Sequence, residues 1–118
     1  MTKPHKSEFV EYLQELLQDF GNVEIRRMFG GYGIYRDRVM FALVADDTLY
    51  LKADEDTAAQ YKARNLPPFT YAKQGKTVAL SYYMAPAEAL EDSGELSQWA
   101  ELAYGVALKA SSKRSRRR

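Results

Sequence analysis

A chain of 118 residues, 46% hydrophobic and 28% charged, has ordinary globular composition and enough length to bury one core without metal or disulfide staples. It has no cysteine, which excludes a disulfide framework, a thiolate metal site and a cysteine nucleophile, and it has no apolar stretch near the roughly 18 residues that a bilayer span needs. The net charge of +1 hides an asymmetry, because residues 111–118 hold five of the seventeen basic residues and none of the sixteen acids, which leaves twelve bases against sixteen acids, or −4, in the rest.

Ser7 is placed to cap a helix in which Phe9, Val10, Leu13, Leu16, Leu17 and Phe20 recur at helical spacing, with Gly21 and Asn22 to end it. Residues 23–29 alternate as a strand, Gly30, Gly31 and Gly33 mark a tight turn or bulge, and residues 34–36 resume the strand. Residues 39–45 form an apolar run suited to a central strand. Asp46-Asp47 then reverses the chain into residues 48–52, where Leu49 and Leu51 alternate with Tyr50 and Lys52.

Residues 54–65 read as a short crossover helix carrying Ala58, Ala59, Tyr61 and Ala63, stopped by Leu66-Pro67-Pro68. Residues 69–73 and 77–84 are rich in aromatic and β-branched residues around a Gln74-Gly75-Lys76 turn, the pattern of a second hairpin. Pro86 opens a short helical segment, and Asp92 and Glu95 have capping-box spacing before a last helix with Leu96, Trp99, Leu102, Ala103, Val106 and Ala107 on its buried side. The order α-ββββ-α-ββ-α predicts an α+β fold, an antiparallel or mixed sheet of about six strands packed by helices. The expected division is a flexible lead over residues 1–6, one domain over 7–110 and a basic disordered segment over 111–118. A cytoplasmic location follows from the missing cysteines and the polar N-terminal residues.

Candidate chemistry is sparse. His5 is the single histidine and has no partner at ligand spacing, so it reads as solvated. Asp46, Asp47, Asp54, Glu55 and Asp56 lack the ligand spacing of a calcium loop and read as a hairpin turn followed by a helix N-terminus. The glycines at 30, 31 and 33 precede more strand instead of a helix, unlike a phosphate loop. Gly31-Tyr32-Gly33-Ile34-Tyr35 echoes part of the RNA-stacking RNP1 motif, with Gly30 where a base and Asp37 where an aromatic are wanted. The simpler reading is a glycine-relieved bend with Phe29, Tyr32 and Tyr35 in the core. Most of the nine tyrosines, and Trp99, read as packing residues. No catalytic residues, cofactor or metal are expected, and the chain is read as non-enzymatic.

The run Arg26-Arg27-Met28-Phe29-Gly30-Gly31-Tyr32-Gly33, followed by Met40-Phe41-Ala42-Leu43-Val44, Leu49-Tyr50-Leu51-Lys52-Ala53-Asp54, Pro68-Phe69-Thr70-Tyr71, Ser81-Tyr82-Tyr83 with Pro86, and Trp99-Ala100, resembles the N-terminal domain of the TfoX/Sxy family. The resemblance covers residues 7–108 with the motifs in family order. It implies an α+β domain similar to the type III secretion chaperone-like fold and a role in regulating competence genes, through assistance to the cyclic-AMP receptor protein, without catalysis. The family's helical C-terminal domain has no counterpart here, which implies a stand-alone member.

The resemblance carries over residue by residue only at Arg26, Arg27, Phe29, Gly30, Gly31 and Gly33, which are the candidate partner-binding positions. Arginine there can offer planar, bidentate contacts to carboxylate or phosphate, although strand alternation turns Arg26 and Arg27 to opposite faces. The expected function is therefore a regulatory module in transcription that acts through protein–protein contacts. Its expected partner is the transcription machinery or a cyclic-AMP receptor protein-type regulator, with a homodimer through a sheet edge also open. The alternative is direct nucleic-acid binding through Lys113, Arg114, Arg116, Arg117 and Arg118. No membrane partner is expected.

Overall fold

The structure, a computed structural model, describes residues 7–28 and 30–116. Among these the order is helix α1 (Glu8–Leu16) with a 3-10 turn (Leu17–Asp19), strands β1 (Glu24–Met28), β2 (Gly31–Arg36), β3 (Val39–Ala45) and β4 (Thr48–Lys52), helix α2 (Glu55–Ala63), strands β5 (Pro68–Lys73) and β6 (Lys76–Met84), a 3-10 turn (Ala87–Leu90) and helix α3 (Ser93–Arg116). This is the α+β order expected. The strands form one sheet in the order β1-β2-β3-β4-β6-β5 with every described pair antiparallel, so the mixed alternative falls away. His5 and the rest of the N-terminal lead lie outside the described residues, as do Phe29, Arg117 and Arg118.

Local chemistry sets the hairpins. Three of the four connections are two-residue turns in which both residues have positive φ: Asp37 and Arg38 at 49° and 71°, Asp46 and Asp47 both at 52°, and Gln74 and Gly75 at 52° and 79°. Two positive φ values give a turn whose twist matches that of the flanking strands, which is why such turns dominate tight hairpins. Lys76, read in sequence as part of the last turn, is instead the first residue of β6 and pairs with Lys73. Of the tight turn or bulge expected at the glycines, Gly30 takes the turn, while the register shifts fall between Ile34 and Tyr35 and between Pro68 and Thr70.

Both shorter helices begin on a side-chain cap. The Ser7 hydroxyl accepts from the Val10 N–H at 3.2 Å. The Asp54 carboxylate accepts from the Thr57 N–H at 2.8 Å, while the Thr57 hydroxyl accepts from the Asp54 N–H at 3.0 Å, a reciprocal capping box. At α3 the Asp92 carboxylate accepts from the Glu95 N–H at 2.9 Å.

The helices cover one face of the sheet. Val10, Leu13, Leu17 and Phe20 from the first helical segment meet Ile34, Phe41, Val44, Leu49 and Leu51 from the strands and Leu96, Ala100, Ala103 and Ala107 from α3. The alanine stripe lets α3 lie close on β3 and β4. Trp99 and Tyr61 close the other end of this core, their ring centroids 5.2 Å apart, with Tyr83 stacked on Tyr61 at 5.4 Å. Trp99 is thus a packing anchor. Leu102, expected on the buried stripe, is only half-buried.

Helix α3 is longer than its core face requires. Residues 111–116, expected to be disordered, continue it to Arg116. Extending an established helix adds one hydrogen bond per residue fixed, and lysine and arginine in a last turn complement the helix dipole.

Candidate functional site

Strand alternation divides the candidate residues between the two faces. In β2, Tyr32, Ile34 and Arg36 turn towards the helices. The Tyr32 hydroxyl accepts from the Ser7 N–H at 3.3 Å, Ile34 is fully buried, and the Arg36 guanidinium lies 4.5 Å over Phe20 and 4.9 Å over Tyr104. Gly31, Gly33 and Tyr35 turn the other way, onto a face that no described helix covers. Tyr32 and Tyr35 therefore cannot form one stacking platform as RNP1 would require. Tyr35 is also not a core residue: it lies half-exposed on the uncovered face.

Arg26 and Arg27 separate in the same way. Arg26 pairs across β1–β2 with Gly33 on the uncovered face, 3.0 Å from Glu24 and 4.9 Å over the Tyr35 ring. Its hydrogen bond to Glu24 raises its pKa above the ordinary arginine value. Arg27 pairs with Tyr32 and leaves from the helix side. The structure thus does not bring the two arginines together.

The glycines have three different causes. Gly30 has φ +69°, in the two-residue connection between β1 and β2. At Gly31 a Cβ would stand 2.1 Å from the Val44 carbonyl oxygen, so β2 can approach β3 here only without a side chain. At Gly33 a Cβ would meet Met28 Sδ at 2.9 Å and Met40 Sδ at 3.2 Å, because two methionines fold over the strand.

That uncovered face is apolar and concave. Met28, Leu43, Phe69, Tyr71 and Leu80 line a groove of about 350 Å³. A flat sheet of this strand order would hold β1 and β5 about 24 Å apart at ~4.8 Å per strand. Residues of both edges border the one groove, so the sheet curls around it. Phe69 stands edge-on to Tyr50 at 5.2 Å and stacks with Tyr71 at 6.2 Å, which braces the β5 side. Leu43 is buried yet lies outside the helix-side core, because it forms the floor of the groove. Met28, Tyr71 and Leu80 are exposed. Further along the same face Tyr82 is pushed up to about 12 by burial.

Of the candidate partner-binding positions only Gly31 lines this groove among the described residues, and Met28, Leu43, Phe69, Tyr71 and Leu80 were not among those candidates. The signal available was the run of apolar residues on both faces of β3, which marks a strand covered on two sides. The acidic residues fall where expected, with Asp46 and Asp47 in a turn and Asp54, Glu55 and Asp56 at the start of α2. Among the described residues no helix is long and apolar enough to cross a membrane, and no group of three or more histidine, cysteine, aspartate or glutamate side chains gathers as a metal site.

Similarity to known proteins falls on this same fold. A profile described as the TfoX N-terminal domain matches residues 15–107. Protein Sxy of Escherichia coli (strain K12) is 36% identical over 105 residues, covering 88% of this chain and 50% of its own length. The DNA transformation protein TfoX of Haemophilus influenzae is 31% identical over 93 residues, covering 77% of this chain and 43% of its own length. The chain spans about half the length, or less, of these curated relatives. By the extent of the profile match and its identity to Sxy, the chain belongs to the TfoX N-terminal domain family.

Proposed function

We propose that this protein is a non-enzymatic regulatory module that acts in the transcription of DNA-uptake genes by protein–protein contact, with the groove on the uncovered sheet face as its contact surface. The observation that carries the reading is the groove itself: Met28, Tyr71 and Leu80 leave apolar surface exposed along a concave face with a buried floor at Leu43. Methionine and aromatic side chains on such a face suit contact with an apolar segment of another protein, the former by adapting in shape and the latter by burying large area at low entropy cost. The names of the relatives, which refer to DNA transformation, supply the process. Arg26, bonded to Glu24 on the same sheet face, offers the partner a charged edge.

Expression of the full chain in a bacterium deleted for its own Sxy-type regulator tests the proposal. The wild-type chain raises transcripts of DNA-uptake genes, and Leu80→Glu lowers that response at least about tenfold, the effect of placing an unpaired carboxylate in an apolar contact. Leu80 is exposed, so the substitution leaves the fold intact, which circular dichroism checks. A wild-type chain with no effect on those transcripts, or a Leu80→Glu chain with full effect, contradicts it.

A further inference from the structure

Two clefts flank the last turns of α3 and share no lining residue with the sheet groove. The larger, about 780 Å³, is lined by Lys52 of β4, Lys62 of α2 and Lys109 of α3, together with Ser81 and Ser112. The smaller, about 290 Å³, runs between Arg38 of the β2–β3 turn, Lys52 and the same stretch of α3. Lys52 and Ala110 border both, so the clefts join into one band.

Charge in this band runs against that of the rest of residues 1–110. Residues 1–110 carry −4, yet four basic side chains from four separate elements converge here against two carboxylates, Asp54 and Glu55. The Asp54 carboxylate already accepts the Thr57 N–H as a helix cap. Lys62 and Lys109 are exposed. Lys52 is half-buried, its ammonium 3.3 Å from the Ser81 hydroxyl and 5.1 Å over the Tyr82 ring, which holds it towards the cleft.

Helix α3 prolongs the band. Val106, Lys109 and Ala110 line the larger cleft, and helical spacing puts position 113 on the same face one turn on, with 114 and 116 beside it. All three positions are basic. From Ala107, the last buried residue of α3, to Arg116 is nine residues, about 13 Å of helix at ~1.5 Å per residue. That matches the axial rise of about four phosphates along one strand of a duplex. The acids Glu88, Glu91, Asp92 and Glu95 sit at the opposite end of the helix, so the field along it is directed and draws a polyanion to the basic end. Leu108 is the one large apolar side chain in residues 108–116, too little for a helix to seat in a bilayer.

We propose that this band, made by Arg38, Lys52, Lys62 and Lys109 at the root of the basic run 113–116, binds the phosphodiester backbone of a nucleic acid without reading its bases. It is a surface distinct from the sheet groove and does not depend on the protein-contact reading.

The test is fluorescence anisotropy of a labelled mixed-sequence DNA duplex titrated with the full chain across a salt series. The wild type binds, with affinity falling as salt rises. Full-chain Lys62→Gln/Lys109→Gln binds at least about fivefold more weakly at low salt, and the slope of log affinity against log salt falls by about 1 to 2, as expected for losing one or two phosphate contacts. Both lysines are exposed, so unfolding is not expected, and an unchanged thermal midpoint confirms it. Lys113→Gln/Arg114→Gln/Arg116→Gln shows a further loss. Absence of duplex binding by the wild type, or wild-type affinity and slope in the Lys62/Lys109 variant, overturns the proposal. Displacement of the duplex by pyrophosphate at lower ionic strength than chloride needs overturns the extended backbone as ligand in favour of a small phosphate compound. Tighter retention on anionic phospholipid vesicles than on the duplex overturns it in favour of a membrane surface.

Discussion

Tyr61 supplies the largest fully buried side chain of the core and also a group for which the core makes no provision. Its ring stacks on Tyr83 and tilts against Trp99, but its hydroxyl finds no hydrogen-bond partner among the described residues, and burial pushes its pKa up. A buried hydroxyl without a partner loses its hydration and gains nothing in return. Tyr61→Phe keeps the ring contacts and is expected to stabilise the protein by about 1 kcal/mol, read as a higher urea midpoint with unchanged slope. A lower midpoint would show that the hydroxyl has a partner after all. Asp54 is the opposite case, a carboxylate used fully. Its hydrogen bond from the Thr57 N–H is the first cause of a pKa below the ordinary aspartate value. Because the folded-state pKa is the lower one, the contribution is present above the unfolded-state pKa and is lost as pH falls through the folded one. Asp54→Ala is expected to cost about 1 kcal/mol at neutral pH, with the difference from wild type shrinking in acid below about pH 4. A difference that persists unchanged in acid would contradict the cap as its source.

At the scale of elements, the β2–β3 pairing depends on Gly31 more than on either neighbouring glycine. A methyl group there collides with backbone, the Val44 carbonyl, which cannot rotate aside as a side chain can. Gly31→Ala is expected to cost about 3 kcal/mol. Gly30→Ala, where a Cβ meets nothing within 4 Å and only the positive φ opposes it, is expected to cost about 1 kcal/mol. Denaturant midpoints of the two variants check the order, and equal losses would mean that the β2–β3 pairing shifts to admit a methyl group at Gly31. Much of this level was legible in the sequence. The Asp46-Asp47 and Gln74-Gly75 reversals, the Leu66-Pro67-Pro68 stop, the Ser7 cap of α1 and the Asp92–Glu95 pair before α3 are local, and local chemistry sets them. The break at residues 37–38 between the strands was legible as well, but the positive φ of Arg38 was not, because arginine is not a residue that favours it and the pairing of β2 with β3 imposes it. The helical state of residues 111–116 was hidden for a similar reason: those residues are too polar to start a helix but cheap to add to one already packed from Leu96 to Ala107.

Among the described residues the whole molecule is a sheet with one face covered by helices and one that no helix covers, crossed by a helix whose two ends differ in charge. Neither property follows from any single segment. The Arg26–Gly33 run was visible as a feature of the sequence, but the groove it borders also needs Phe69, Tyr71 and Leu80, which join it only because β6 pairs with β4 across the α2 crossover and the sheet then curls. Likewise, the basic residues near the end of α3 were legible as a charge run, whereas Arg38, Lys52 and Lys62 are scattered in sequence and meet only in the fold. The clefts beside α3 share no lining residue with the groove, although Tyr82, from the same sheet face as the groove, lines the smaller of them. The most direct test of the protein-contact claim is an NMR titration of the isotope-labelled full chain with a purified cyclic-AMP receptor protein-type regulator. Amide shifts are expected to concentrate on the open face around Met28, Leu43, Tyr71 and Leu80, and to be lost in Leu80→Glu. No shifts, or shifts confined to the helix-covered side, would contradict it.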